Sequence, residues 1–178
     1  MYYLKMTLEG VLQSYGNGEN VWRLRRDTQI APTKDAVIGI IGCALGLQME
    51  DTAYKALNDL TYLYIQTHPA MILDDYQVIR PKEPRKSFED SYFWSPDGSH
   101  NKIQYTTVKE YLTNTSYTVY VGCEDKQSLR QIHRALRDPV WPYYLGRACC
   151  TPGRPIAEKE FILYYREELE GAICTCLS

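Results

Sequence analysis

The chain has 178 residues, 44% hydrophobic and 24% charged, a balance that suits one globular domain and excludes a disordered or fibrous protein. It lacks the run of about 18 apolar residues that a membrane helix needs, so no membrane span or membrane partner is expected. A net charge of −2 argues against indiscriminate nucleic-acid binding, although local patches count for more than the sum.

At the N-terminus Tyr2, Leu4, Met6 and Leu8 alternate with Tyr3, Lys5, Thr7 and Glu9. This period of two predicts a strand with one buried face, not a signal peptide, and sets the expectation of a cytoplasmic protein. A loop through Gly16 and Gly18 then reaches a basic stretch, Arg23, Arg25 and Arg26, opposed only by Asp27. Pro32 suits a helix start, and the helix is predicted over 33–47. Its glycines, Gly39, Gly42 and Gly46, fall on one side with Ala36 and Cys43, opposite Val37, Ile40, Ile41, Ala44 and Leu45. Each glycine costs the helix about 1 kcal/mol relative to alanine, so the small side must admit something at close range, either another backbone or a ligand. The free N–H groups of the first turn, beside Thr33 and Lys34, form a seat for a phosphate, although an ordinary buried helix with a solvated basic loop has the same pattern.

A short helix near 51–59 is predicted next, followed by strands over 60–67 and 71–79 separated by the His68-Pro69 turn. Residues 80–101 are rich in proline and charge and read as an exposed insertion, with 106–112 returning from it. Tyr117, Val119, Val121 and Cys123 alternate as another strand. Asp125 is a good N-cap for a helix over 126–137, ended by Asp138-Pro139. That helix carries an apolar stripe, Leu129, Ile132 and Leu136, flanked by Lys126, Arg130, Arg134 and Arg137. The arginines read either as a solvated face or, with Trp141 and Tyr144 following, as RNA contacts, since aromatic planes stack on unpaired bases and guanidinium groups hold phosphates. His133, at the edge of the stripe, reads as a core-edge histidine or as an active group. A last strand is predicted over 161–165.

The order of strand, helix, two strands, insertion, strand, helix and strand is the α+β, ferredoxin-like βαββαβ pattern shared with RNA-recognition modules. No linker divides the chain, so residues 1–178 read as one domain. The six cysteines lack the spacing of a zinc knuckle and read as reduced, half-buried thiols. No metal or cofactor is called for.

Several ordered motifs resemble the CasD family, subunits of the type I-E CRISPR surveillance complex (Cascade). Leu12-Gln13-Ser14-Tyr15-Gly16 is similar to a turn after the family's first strand, with Tyr15 where the family usually carries tryptophan. The strongest match is Arg26-Asp27-Thr28 followed by Pro32-Thr33-Lys34 and the glycine-bearing helix from Ile38 to Gly46. Asp75-Tyr76-Gln77-Val78, Glu110-Tyr111-Leu112 and Pro142-Tyr143-Tyr144-Leu145-Gly146-Arg147 are the others.

The resemblance implies a ferredoxin-like fold with an inserted thumb over 77–109. It implies a noncatalytic protein that clamps the 5′ handle of the guide crRNA and caps the filament of Cascade backbone subunits through the thumb. It also implies contact with the large target-surveying subunit. By position, Arg26, Thr33, Lys34, Gly42, Gly146 and Arg147 become expected RNA contacts. The reading of the residues themselves adds Arg23, Arg25, Gly39, Arg134 and Tyr144.

The rival is a metal-independent endoribonuclease that processes CRISPR repeat RNA, as in a type I-C relative. That chemistry needs a base and an acid held together, but His68, His100 and His133 are widely separated in sequence. His100, with Lys102 and Tyr105, is the best available set and lies in the insertion. Asp74 and Asp75 are adjacent on a strand, so their carboxylates point to opposite faces and cannot share one metal ion. No catalytic residue is assigned.

Overall fold

The computed structural model describes residues 1–16, 25–66, 68, 70–79, 93–94, 100–101, 105–169 and 175–176. Arg23, Gly18 and most of the insertion therefore lie outside the described residues. The chain opens with strand β1 (Tyr2–Glu9), a two-residue strand β2 (Arg25–Arg26) and helix α1 (Lys34–Leu45). Helix α2 (Thr52–Ala56) runs into a 3-10 turn at Leu57–Asp59, followed by strands β3 (Thr61–Gln66) and β4 (Met71–Ile79). Within the insertion, β5 (Phe93–Trp94) pairs with β6 (His100–Asn101). The chain returns through β7 (Tyr105–Thr113) and β8 (Ser116–Cys123) to helix α3 (Lys126–Arg137). Strand β9 (Leu163–Tyr165), a single helical turn α4 (Arg166–Leu169) and β10 (Thr175–Cys176) close it.

Local chemistry sets both long helices. Thr33 caps α1 by accepting the Ala36 N–H at 3.2 Å. Gly46 ends it in the left-handed region at φ 70°, with the Leu47 N–H returned to the Gly42 carbonyl, and Val140 packs where a side chain at 46 would stand. Asp125 caps α3 through the N–H groups of Gln127 and Ser128 at 3.0 and 2.9 Å. These hydrogen bonds, with the Ser128 hydroxyl foremost, hold its carboxyl below the ordinary aspartate value.

The larger sheet has the order β10-β3-β8-β1-β9, and every pairing in it is antiparallel. Strand β1 pairs along its whole length with β8, from Tyr2 opposite Cys123 to Glu9 opposite Ser116. One face of this sheet carries Leu4, Met6, Leu8, Val119 and Val121 against Val37, Ile40 and Ile41 of α1 and Leu129, Ile132 and Leu136 of α3. Burying each such side chain contributes about 1.5–3 kcal/mol, and this layer is the main core. The other face is not open, as simple alternation in β1 predicts. Tyr3 is 1% exposed and packs with Tyr120 and with Leu169 of α4. The short α4 supplies the cover, and its sequence carries too few residues to show a period.

A second sheet of order β2-β7-β4 stands beside the first. Strands β4 and β7 pair antiparallel over nine residues each, from Met71 opposite Thr113 to Ile79 opposite Tyr105. Strand β2 runs parallel to β7, placing Arg26 beside Lys109. Among the described residues no helix is long and apolar enough to cross a membrane.

Candidate functional site

Segments far apart in the chain meet at the root of β7. The hub is the Gln13–Tyr15 turn. Gln13 exchanges backbone hydrogen bonds with Leu112 at 3.0 and 2.7 Å, and its side-chain amide donates to the Thr115 carbonyl at 2.8 Å. The Tyr15 hydroxyl donates to the Gln13 side chain at 2.7 Å, and the Tyr15 N–H donates to the Thr28 hydroxyl at 2.8 Å. Burial raises the Tyr15 phenol well above its ordinary value and so keeps it a neutral donor. The Ser14 N–H, finally, donates to the Leu145 carbonyl at 3.0 Å. Three turns of chain are thus pinned to one strand by hydrogen bonds that burial makes costly to lose.

Gly146 and Arg147 complete the junction. Gly146 has a φ of +98°, and a Cβ there would stand 1.6 Å from the Ser14 carbonyl oxygen. What approaches Gly146 is therefore the protein's own backbone. Arg147 donates to the Glu110 carbonyl at 2.8 Å and to the Arg26 carbonyl at 3.0 Å, and its guanidinium lies 4.8 Å over the Tyr111 ring. Among the described residues it forms no direct ion pair; it is held by two carbonyls and a π face, with the Glu110 carboxylate near enough to feel its charge. Arg26 and Lys109 are neighbours in register, and the Lys109 ammonium donates to the Gln77 side chain at 2.7 Å on a strand position that faces Asp75.

Arg25 has a different situation. It pairs with Asp27 at 3.0 Å, with Asp74 at 3.2 Å and with Glu110. Asp74 and Glu110 face each other across the β4–β7 ladder, and like charges so placed destabilise a sheet unless a cation joins them. Glu110 is 9% exposed and also accepts the Thr28 N–H at 3.1 Å. Burial pushes its carboxyl up, but the Thr28 N–H, Arg25 and Arg147 more than offset this, leaving it below the ordinary glutamate value. Arg25 thus serves the junction, and both it and Arg26 are exposed.

The other expected contacts are arranged as follows. Thr33 is the α1 cap, and Lys34 donates to the Asn58 carbonyl at 2.9 Å while lying 5.9 Å over the Tyr62 ring. At Gly42 the Tyr54 ring occupies the close-approach space, 2.5 Å from where a Cβ would sit, so the small side of α1 admits an aromatic side chain there. Gly39 alone of the three has nothing within 4 Å of that position. Tyr144 is half-buried. On α3, Lys126 lies 4.4 Å over Tyr2 and Arg130 lies 5.1 Å over Phe161, and both are exposed, as are Arg134 and Arg137. His133 is 7% exposed, with Nε2 at 2.9 Å from the Glu158 carbonyl and its ring edge-on to Phe161, which is the core-edge reading.

Lys109, Glu110 and Gln13 were not among the expected contacts, yet they organise the site. A lone glutamate in a strand has no periodic signature, and Glu110 is visible beforehand only through the Glu-Tyr-Leu motif. Nor are the thiols uniformly half-buried: Cys43 and Cys123 are, but Cys149 is exposed and Cys150 is buried.

The sequence profile of the family described as CRISPR-associated protein (Cas_Cas5) matches residues 3–171. The chain is 28% identical over 161 residues to the CRISPR system Cascade subunit CasD of Escherichia coli (strain K12), covering 86% of this chain and 69% of that protein. A chain of a CRISPR RNA-guided surveillance complex superposes with a TM-score of 0.72 at 25% identity, covering 87% of this chain and 61% of the other. The present chain thus spans about three-fifths of that relative's length. A crystal structure of a Cas protein shares the fold, with a TM-score of 0.65 at 23% identity, over 94% of this chain and 69% of that one.

Proposed function

The chain belongs to the CRISPR-associated protein (Cas_Cas5) family, and from that premise we propose that it is a noncatalytic component of a Cascade-type complex that grips the 5′ handle of guide crRNA. The observation that carries this reading is the junction itself. Four motif segments meet there, and Arg147, bonded to the Arg26 carbonyl, joins the register neighbours Arg26 and Lys109 in a group of three cationic residues, the chemistry a ribose-phosphate chain requires. Phosphate contacts of this kind supply affinity and register, while unpaired bases are read by stacking and edge hydrogen bonds.

The strand order β3-β8-β1-β9, with α1 and α3 packed together beside it, supports reading the core as ferredoxin-like. The β4–β7 ribbon is then the root of a thumb spanning 77–109 that reaches the Cascade backbone subunit, and the body touches the large target-surveying subunit. These partners, and a cytoplasmic site of action, are part of the proposal.

Retention of labelled handle RNA tests the grip. Arg26→Glu, Lys109→Glu and Arg147→Glu are each expected to weaken retention and to flatten its dependence on salt, because each removes a phosphate contact. Unchanged retention in all three variants overturns the reading and leaves a protein-only scaffold.

A further inference from the structure

We propose that, among the described cysteines, Cys149 is the peroxide- and electrophile-reactive thiol, a modification site at the corner of the junction, with Cys150 as the thiol that resolves its oxidised form. The two residues are adjacent but differ in surroundings. Cys149 is exposed on the turn that follows Arg147, and Cys150 is buried. The Cys149 Sγ lies 3.4 Å from the Tyr111 hydroxyl, and the Arg147 guanidinium lies 4.8 Å over the same tyrosine ring. The Tyr111 phenol thus touches one solvent-facing sulfur while a guanidinium lies over the same ring, surroundings that favour a thiolate. Burial raises the Tyr111 phenol, which keeps it protonated and able to donate. The Tyr111 hydrogen bond, followed by the Cys150 thiol and Arg147, holds Cys149 below the ordinary thiol value, whereas burial pushes Cys150 up to about 12. Cys43 and Cys123 are half-buried, and among the described residues neither has a phenol and a guanidinium together at its sulfur.

The chemistry balances with a hydroperoxide as oxidant. The Cys149 thiolate attacks one peroxide oxygen, the S–O bond forms as the O–O bond breaks, and the departing alkoxide or hydroxide takes a proton from solvent. The thiol of the adjacent Cys150 then gives up its proton and attacks the sulfenic sulfur. The S–S bond forms, the S–O bond breaks, and the hydroxide leaves as water. Two thiols lose two electrons and the peroxide gains them. Adjacent Cα atoms are about 3.8 Å apart across a trans peptide, shorter than the roughly 4.4–6.8 Å a relaxed disulfide spans. Such a bridge is strained and is readily reopened by a free thiol, which makes the modification reversible.

The test is alkylation of the reduced full chain with iodoacetamide across a pH series, each of the six cysteines being followed by peptide mass spectrometry. Cys149 is expected to react ahead of Cys43, Cys123 and Cys150 near pH 6.5, with a rate midpoint below the ~8.5 of a free thiol, and Tyr111→Phe is expected to raise that midpoint. A faster reaction at Cys43, Cys123 or Cys150, or a Cys149 midpoint at or above the free-thiol value, overturns the assignment. Treatment with hydrogen peroxide and then dimedone tests the second step. The wild-type peptide carrying both residues should lose two hydrogens, while Cys150→Ala should carry dimedone on Cys149. A stable dimedone adduct in the wild type removes Cys150 from the role.

Discussion

Arg147 and Gly146 are neighbours in sequence but do separate work. At Gly146 an alanine must hold a φ of +98° and bring its methyl onto the Ser14 carbonyl. The backbone strain alone costs about 1–3 kcal/mol, so Gly146→Ala should lower the thermal midpoint markedly or prevent folding. At Arg147 the fork geometry matters, because two carbonyls from different segments share one guanidinium. Arg147→Lys keeps the charge but cannot span both, and is expected to weaken RNA retention more than its unchanged charge implies. Glu110 gives the junction a pH dependence of known sign. Its carboxyl is lower in the folded chain than when unfolded, so its contribution is fully present above the ordinary glutamate value of about 4.3 and is lost as pH falls through the folded value. Urea unfolding from pH 7 to pH 3 should show this loss, and Glu110→Gln should be less sensitive to acid over that window.

Among the elements, α1 separates what is written in sequence from what packing decides. Its place was legible but not its ends: Pro32 reads as the start and Gly46 as an in-helix glycine, whereas Thr33 is the cap and Gly46 ends the helix in the left-handed region. For α3 both ends were legible, with Asp125 and Asp138 at its termini. The function of the glycine side was not legible, because a glycine states only that space is needed. The space at Gly42 goes to Tyr54, a residue on α2 that no pattern joins to it. Gly39 remains open, and it gives a test with two readouts. Gly39→Ala should stabilise the helix by about 1 kcal/mol in chemical unfolding, since nothing obstructs the methyl. If RNA packs along this side, the same substitution should loosen handle retention despite the more stable fold. In β1 the period of two located the strand but not the burial of Tyr3, because the cover comes from α4, more than 160 residues away. The two-residue β2 has no signature of its own and exists only through its pairing with β7.

At the scale of the whole molecule the unusual surface is β4. Met71, Ile72, Leu73, Tyr76 and Val78 are 61, 55, 47, 66 and 38% exposed, on a strand that forms one edge of its sheet. Exposed apolar side chains gathered on one element mark a surface that is covered in an assembly. This agrees with the proposal that the β4–β7 ribbon roots the thumb that meets a backbone subunit. Tyr76→Asp should leave the isolated protein's stability within about 0.5 kcal/mol, as surface changes do, while abolishing co-purification with that subunit.

The central claim is a grip without cutting. The direct measurement is incubation of the purified protein, together with the backbone subunit, with end-labelled CRISPR repeat RNA in the absence of divalent metal, resolved on native and denaturing gels. The repeat RNA is expected to be retained uncut, and its retention to fall with Arg147→Glu. A single cut at the handle boundary, abolished by changing His68, His100 or His133, would contradict it and make this chain the processing nuclease.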